Sequence, residues 1–238
     1  MKKLLLNQKS AMLYSDIETY VSMLKIYENK FIIFPTDLYV KDFSINGFNV
    51  GVQNIAETNV KNQTGEVTAE QAKSIGARYT IIGHSERRLN QKENDKTLLN
   101  KFRRAMDAGL DIVYCIGENL VDYKLKETER VILSELDDIF SNIDSLNVNL
   151  YVAYEPIWAI GTGITPTNFE IEKTTKYIKN YLESKNIEAD VLYGGSVNDE
   201  NFENLLNIPN VDGFLVGGAS NDYKKVVKMC EILMNSTK

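Results

Sequence analysis

The stretch Ala153–Gly163 reads A-Y-E-P-I-W-A-I-G-T-G. It begins as the end of an apolar strand, Leu150–Tyr154, and delivers a carboxylate, Glu155, at the strand tip. Pro156 has no N–H to donate, so strand pairing stops there. Four apolar residues follow outside any regular element: Ile157, Trp158 (the only tryptophan of the chain), Ala159 and Ile160. Gly161 and Gly163 leave the far end free to pivot. Such a loop is costly in water unless it folds down and shuts solvent out of something. The stretch therefore describes a carboxylate at a strand end, under an apolar lid.

Outward from it, short apolar runs recur along the whole chain: Leu4–Leu6, Phe31–Phe34, Asn49–Val52, Tyr79–Ile82, Asp111–Cys115, Leu150–Tyr154, Val191–Tyr193 and Gly213–Val216. Most lack polar alternation, which marks strands buried on both faces, as in a parallel sheet. Helical spacing lies between several of them. Ile17, Tyr20, Val21 and Leu24 share one face, as do Leu98, Phe102, Ala105 and Met106. Ile171, Thr174, Tyr177, Ile178 and Tyr181 form a third stripe, and Tyr223, Val226, Val227, Cys230 and Leu233 a fourth. Thr68 with Gln71 predicts a capping box, and Thr165-Pro166 predicts an N-cap followed by a proline at the first helical position.

Units of roughly 30 residues, strand then helix, fit a closed (β/α)8 barrel or an open doubly wound sheet. The open sheet usually carries a glycine-rich turn after its first strand. Here Asn7-Gln8-Lys9 follows that strand, and the glycine pairs come after the seventh and eighth, as Gly194-Gly195 and Gly217-Gly218. That is where barrels place a phosphate site. No linker or low-complexity tract divides the chain, so residues 1–238 are expected to form a single barrel domain of α/β class.

Net charge is −6, which argues against nucleic acid held on a basic face. Met1–Leu6 is too short an apolar start for a signal peptide or a membrane span. Two cysteines, Cys115 and Cys230, read as buried free thiols of a reducing, cytoplasmic compartment. No metal-ligand spacing occurs, and a single histidine argues against a catalytic zinc.

In a barrel the polar strand ends converge on one mouth. Asn7 and Lys9 follow the first strand, His84 the fourth in G-H-S-E-R-R, Glu155 the sixth, and the glycine pairs the seventh and eighth. Any one of 33 Asp and Glu is ordinarily a solvated charge, but Glu155 ends a buried strand, where desolvation makes a carboxylate a better base. A lone histidine is ordinarily structural. His84, however, stands after Gly83 at the start of a predicted helix, Ser85–Arg88, whose N-terminus disfavours a cation and so favours a neutral, hydrogen-bond-donating imidazole. Lys9 offers a fixed positive charge to an anionic substrate. Glu86 and Arg87 read as support, an acid within reach of Lys9 or His84 and a pairing arginine. Gly194-Gly195-Ser196 and Gly217-Gly218 could be simple turns or, through bare N–H groups, a phosphate cradle.

The chain closely resembles the triosephosphate isomerase family through I-G-H-S-E-R-R, A-Y-E-P-I-W-A-I-G-T-G, Y-G-G-S-V and L-V-G-G-A-S, in the family's order. The resemblance implies a homodimeric glycolytic and gluconeogenic enzyme that needs no cofactor and interconverts dihydroxyacetone phosphate and D-glyceraldehyde 3-phosphate. It implies Asn7 and Lys9 as substrate-binding, His84 as electrophile and Glu155 as base. Gly161, Ser196, Gly217 and Gly218 resemble the phosphate-holding residues, and Glu86 a helper near the lysine. Gln53-Asn54 also matches. The loop Val60–Val67 resembles the family's dimer loop. The chain departs from the family at Gln8 and Ser10, at Asn62-Gln63, and in the short Ile164-Thr165-Pro166 connection after the lid. Two rival readings stand beside this one: an isomerase of another ketose phosphate on the same scaffold and, prompted by the departures around Gln8 and Ser10, a barrel that binds phosphate but has lost catalysis and serves as an interaction protein.

Overall fold

A computed structural model describes residues 2–59, 63–160 and 165–236. Among these, eight strands lie in parallel: β1 (Lys3–Asn7), β2 (Ile32–Phe34), β3 (Asn49–Val52), β4 (Tyr79–Ile82), β5 (Asp111–Ile116), β6 (Leu150–Tyr154), β7 (Asp190–Tyr193) and β8 (Gly213–Val216). Each pairs with the next, and β1 pairs with β8, with Leu4 opposite Phe214 and Leu6 opposite Val216. The sheet is a closed barrel, so it has no edge strand, and the open-sheet alternative falls.

The helices are α1 (Tyr14–Leu24), α2 (Val40–Ile45), α3 (Ala69–Ser74), α4 (Ser85–Asn90), α5 (Asp95–Ala108), α6 (Leu120–Lys124), α7 (Thr128–Phe140), α8 (Asn168–Ser184), α9 (Phe202–Leu206) and α10 (Tyr223–Asn235). Period-two side chains divide the core in two. Leu5, Ile32, Phe34, Ile81, Val113, Cys115, Ala153, Leu192 and Leu215 fill the barrel interior. Leu4, Leu6, Val50, Ile82, Ile112, Val152 and Val216 face the helices and meet stripes such as Leu98, Phe102 and Ala105 of α5. Burying each such large aliphatic or aromatic side chain contributes about 1.5–3 kcal/mol before conformational entropy is subtracted.

The local signals mostly hold. Thr68 accepts the Gln71 N–H at 3.2 Å, and Gln71 answers on the Thr68 N–H. The start of α8 differs from expectation: its N-cap is Thr167, not Thr165. Thr167 and Glu170 form a reciprocal capping box, with Glu170 Oε2 accepting the Thr167 N–H at 2.8 Å. A box satisfies two end donors where a Thr-Pro start satisfies fewer, and such a cap is worth about 1 kcal/mol. The apolar segment after β6 is also more regular than its sequence suggests, because Ile157–Ala159 forms a 3-10 turn.

Candidate active site

The C-terminal ends of β1, β4 and β6 bring Lys9, His84 and Glu155 to one mouth of the barrel. Lys9 adopts a backbone φ of +53°, in the left-handed region that a lysine rarely takes. Its neighbours hold it there. Its N–H donates to Asn7 Oδ1 at 3.2 Å, and its carbonyl accepts Thr36 Oγ1 at 3.1 Å and Gln53 Nε2 at 2.7 Å. Gln53 Nε2 also reaches the Phe34 carbonyl, at 3.0 Å. The Lys9 ammonium then bonds Glu86. Burial, the largest single influence, would raise the Glu86 carboxyl, but the hydrogen bond from Lys9, the neighbouring His84 and the Lys9 charge together outweigh it and hold that carboxyl below its ordinary value.

Gly83 turns the chain at φ +76°, and the buried His84 becomes the N-cap of α4. His84 Nδ1 accepts the backbone N–H of Glu86 at 3.2 Å. A ring nitrogen that accepts carries no proton, so the neutral imidazole bears its proton on Nε2. Nε2 faces Glu155 Oε1 at 3.4 Å.

Glu155 is 3% exposed. Its N–H continues the ladder to the Ile116 carbonyl at 2.7 Å, and its Oε2 faces the Ser85 N–H at 3.5 Å. Two glycines make space for it. A Cβ on Gly117 would stand 1.9 Å from the Glu155 carbonyl oxygen, and one on Gly194 would stand 2.9 Å from Glu155 Cγ. Gly194, expected as part of a phosphate cradle, thus serves first as clearance for the carboxylate.

Gly217 lies beside Lys9, whose Cε would be 3.5 Å from a Cβ placed there, and among the described residues nothing stands within 4 Å of one on Gly218. The pair opens a 3-10 turn, Gly218–Asn221, and leaves bare backbone next to the ammonium. The Ser196 hydroxyl donates to the Ala159 carbonyl at 2.7 Å, tying the loop after β7 to the segment after Glu155. Gly161 lies outside the described residues. The Trp158 indole anchors the start of the loop. Its ring stacks on Tyr123 of α6 at 4.1 Å, and its Nε1 donates to Glu118 at 2.8 Å.

Asn7, Lys9, Gln53, Asn54, His84 and Glu86 line a cleft of about 210 Å³. A larger cleft, about 970 Å³, lies at the opposite mouth around Lys3, Tyr151 and Asp190, and holds none of the residues singled out from sequence. Size alone does not locate the site. Arg87 pairs with Glu93 at 2.5 Å, and Lys101 reaches the same carboxylate at 2.5 Å. Sequence reading misses Ser85, Gly117 and the Glu93–Lys101 pair. G-H-S-E-R-R contains Ser85 openly, whereas only folding reveals what Gly117 and Glu93 face. Among the described residues no group of His, Cys, Asp or Glu is arranged to hold a metal ion, and no helix is long and apolar enough to cross a membrane.

Known proteins resemble this chain along most of its length. The profile of the family described as triosephosphate isomerase matches residues 2–233. The triosephosphate isomerase of Francisella tularensis subsp. mediasiatica is 36% identical over 216 residues, covering 87% of this chain and 83% of that one. That of Pseudoalteromonas translucida is 32% identical over 223 residues, covering 92% and 90%. That of Candida albicans is 44% identical over 177 residues, covering 72% and 71%. A closed eightfold barrel, a lone imidazole facing a strand-end carboxylate, and a profile match over almost every residue lead to one conclusion: the chain belongs to the triosephosphate isomerase family.

Proposed function

We propose that this barrel interconverts dihydroxyacetone phosphate and D-glyceraldehyde 3-phosphate, the activity for which its family is named, and that Glu155, His84 and Lys9 carry the reaction. The observation that carries this reading is the 3.4 Å approach of His84 Nε2 to Glu155 Oε1 beside Lys9. Glu155 takes a proton from the carbon next to the substrate carbonyl. The C–H electrons become the carbon–carbon double bond of an enediolate, and the carbonyl oxygen gains the negative charge. His84 Nε2–H donates to that oxygen, and Lys9 stabilises the charge from its own side. The adjacent hydroxyl passes its proton to that oxygen, and Glu155 then returns its own proton to the former carbonyl carbon, the double-bond pair forming the new C–H bond as the second oxygen's charge closes the new carbonyl. A carboxylate base working with a neutral imidazole is the known scheme of this family, and the pairing is taken over from it. Asn7 holds Lys9 and lines the site. The backbone N–H groups around Ser196, Gly217 and Gly218, together with Gly161, hold the phosphate. Glu86 positions the ammonium.

The same reading places the enzyme in glycolysis and gluconeogenesis, in the cytoplasm, as a single-barrel protomer of a homodimer. Two buried free thiols support a reducing compartment. Leu13, Tyr14 and Leu38, 68%, 66% and 79% exposed, lie close to Lys9 in sequence or on the adjoining loop and support a subunit contact there. The loop Val60–Val67 would reach across it, though residues 60–62 lie outside the described residues. A coupled assay of the purified protein in both directions tests the activity. Glu155→Gln should lower kcat by the ~10²–10⁴-fold typical of a lost acid–base group. A parent inactive on both trioses, or an unimpaired Glu155→Gln, overturns the reading.

A further inference from the structure

Glu135, on α7, takes no part in the steps above, and its side chain is 16% exposed. Its Oε2 accepts the backbone N–H of Gly117 at 2.8 Å. Its Oε1 lies 3.4 Å from Arg88 Nη1, and its main-chain carbonyl accepts the Tyr114 hydroxyl at 2.7 Å. Arg88 passes the grip on. Its Nε donates to the Gly83 carbonyl at 2.8 Å, and its Nη2 donates to the Cys115 carbonyl at 3.1 Å.

These contacts reach three strand tips. Gly83 is the residue before His84, beyond β4. Cys115 and Gly117 flank the end of β5. Gly117 backs directly onto the Glu155 carbonyl, beyond β6, with no space for even a methyl group between them. A shift of Glu135 therefore moves the supports of both the imidazole and the base. Burial pushes the Glu135 carboxyl up to about 7, against the pull of Arg88 and the Gly117 N–H. Asp95 at the start of α5 and Asp138 on the same helix push it the same way as burial. A group kept in so costly a place is held by its hydrogen bonds.

We propose that Glu135 is a positioning residue: through Gly117 and Arg88 it sets the tips of β4, β5 and β6 so that the His84 imidazole and the Glu155 carboxylate face each other. The inference rests on the roles given to those two residues above. Its leverage is geometric, since a displacement of about 1 Å at reacting groups can cost ~10²-fold in rate.

The test uses the full-length protein. Glu135→Leu removes both acceptor oxygens; kcat should fall by about 10–10²-fold while KM changes by less than about threefold. Glu135→Gln keeps the shape and one oxygen acceptor for the Gly117 N–H but turns an amide NH2 towards Arg88, and should recover the part of the loss that is carried through Gly117. Glu135→Asp keeps the charge but falls one methylene short of Gly117. It should lower kcat by about tenfold, and it serves if the leucine variant does not fold. Because the chain has one histidine, the ring ¹⁵N resonances of His84 can be read without ambiguity, and they should move in the Asp variant and return part of the way in the Gln variant. Folded Leu or Asp variants with the parent's kcat and His84 resonances overturn the proposal, as does a loss confined to KM. A parent without isomerase activity defeats the functional reading instead, and the His84 resonances then decide this one alone.

Discussion

His84 and Glu155, 71 residues apart by number, face each other at 3.4 Å between Nε2 and Oε1, and the side of the ring turned to Glu155 is fixed by what the other nitrogen accepts. The Glu86 N–H occupies Nδ1, so the donor proton is on Nε2, towards Glu155. His84→Asn shortens the side chain and withdraws that donor. It should lower kcat by about 10²-fold with the fold intact, the scale of one lost oxyanion donor. The ¹⁵N spectrum of the parent should show the Nε2–H tautomer. A spectrum dominated by Nδ1–H contradicts the assignment.

Gly117→Ala should damage activity without replacing any side chain that meets substrate. Its new methyl would lie 1.9 Å from the Glu155 carbonyl oxygen, and that obstacle is backbone, which cannot rotate aside. The strand end must move, and overpacking of this kind costs about 1–3 kcal/mol. The expected result is a lower melting temperature together with a fall in kcat of at least about tenfold. Stability lost at full kcat would show that the tip of β6 tolerates displacement.

Trp158 provides an optical probe of a buried carboxyl. Burial raises the Glu118 carboxyl above its ordinary value, while the Trp158 and Tyr154 donors pull it down by less. With a raised native value, the folded protein binds the proton more tightly than the unfolded chain across the window between the two. Stability from this group is therefore full below the unfolded value and is lost as pH rises through the folded one. Emission of the single tryptophan should show a transition displaced upward from that of an ordinary glutamate, and Glu118→Gln should abolish it. A transition that survives in Glu118→Gln would assign it to another group.

Strands are the most readable part of the chain, for a physical reason. A strand buried on both faces is apolar along most of its length, and runs such as Tyr79–Ile82 and Gly213–Val216 occur with the bounds their composition suggests. Lys9, His84 and Glu155 are legible because each is a polar residue just past such a run. The start of α8 is ambiguous in sequence because Thr165-Pro166 and Thr167-x-x-Glu170 compete, and the choice between them depends on two reciprocal hydrogen bonds. Glu135 is invisible there: a helix with several acids gives no hint that one of them turns inward to meet Gly117 and Arg88. The roles of Gly117 and Gly194 are hidden likewise, since a glycine needed for clearance is indistinguishable in sequence from a glycine needed for a turn.

The seam between the first and last strands has a consequence for how the molecule matures. The Tyr20 hydroxyl donates to the Ser220 carbonyl at 2.5 Å, and the Ser220 hydroxyl donates to the Asn7 carbonyl at 3.0 Å. The main chain that presents the amine is thus buttressed by a residue made 213 positions after Asn7. During synthesis a ribosome must release nearly the entire polypeptide before that buttress can form, and long-range closure of this kind is slow. A nascent chain stalled before its eighth strand would therefore already possess its imidazole, its base and the Thr36 and Gln53 contacts of Lys9, yet lack the buttress behind Asn7.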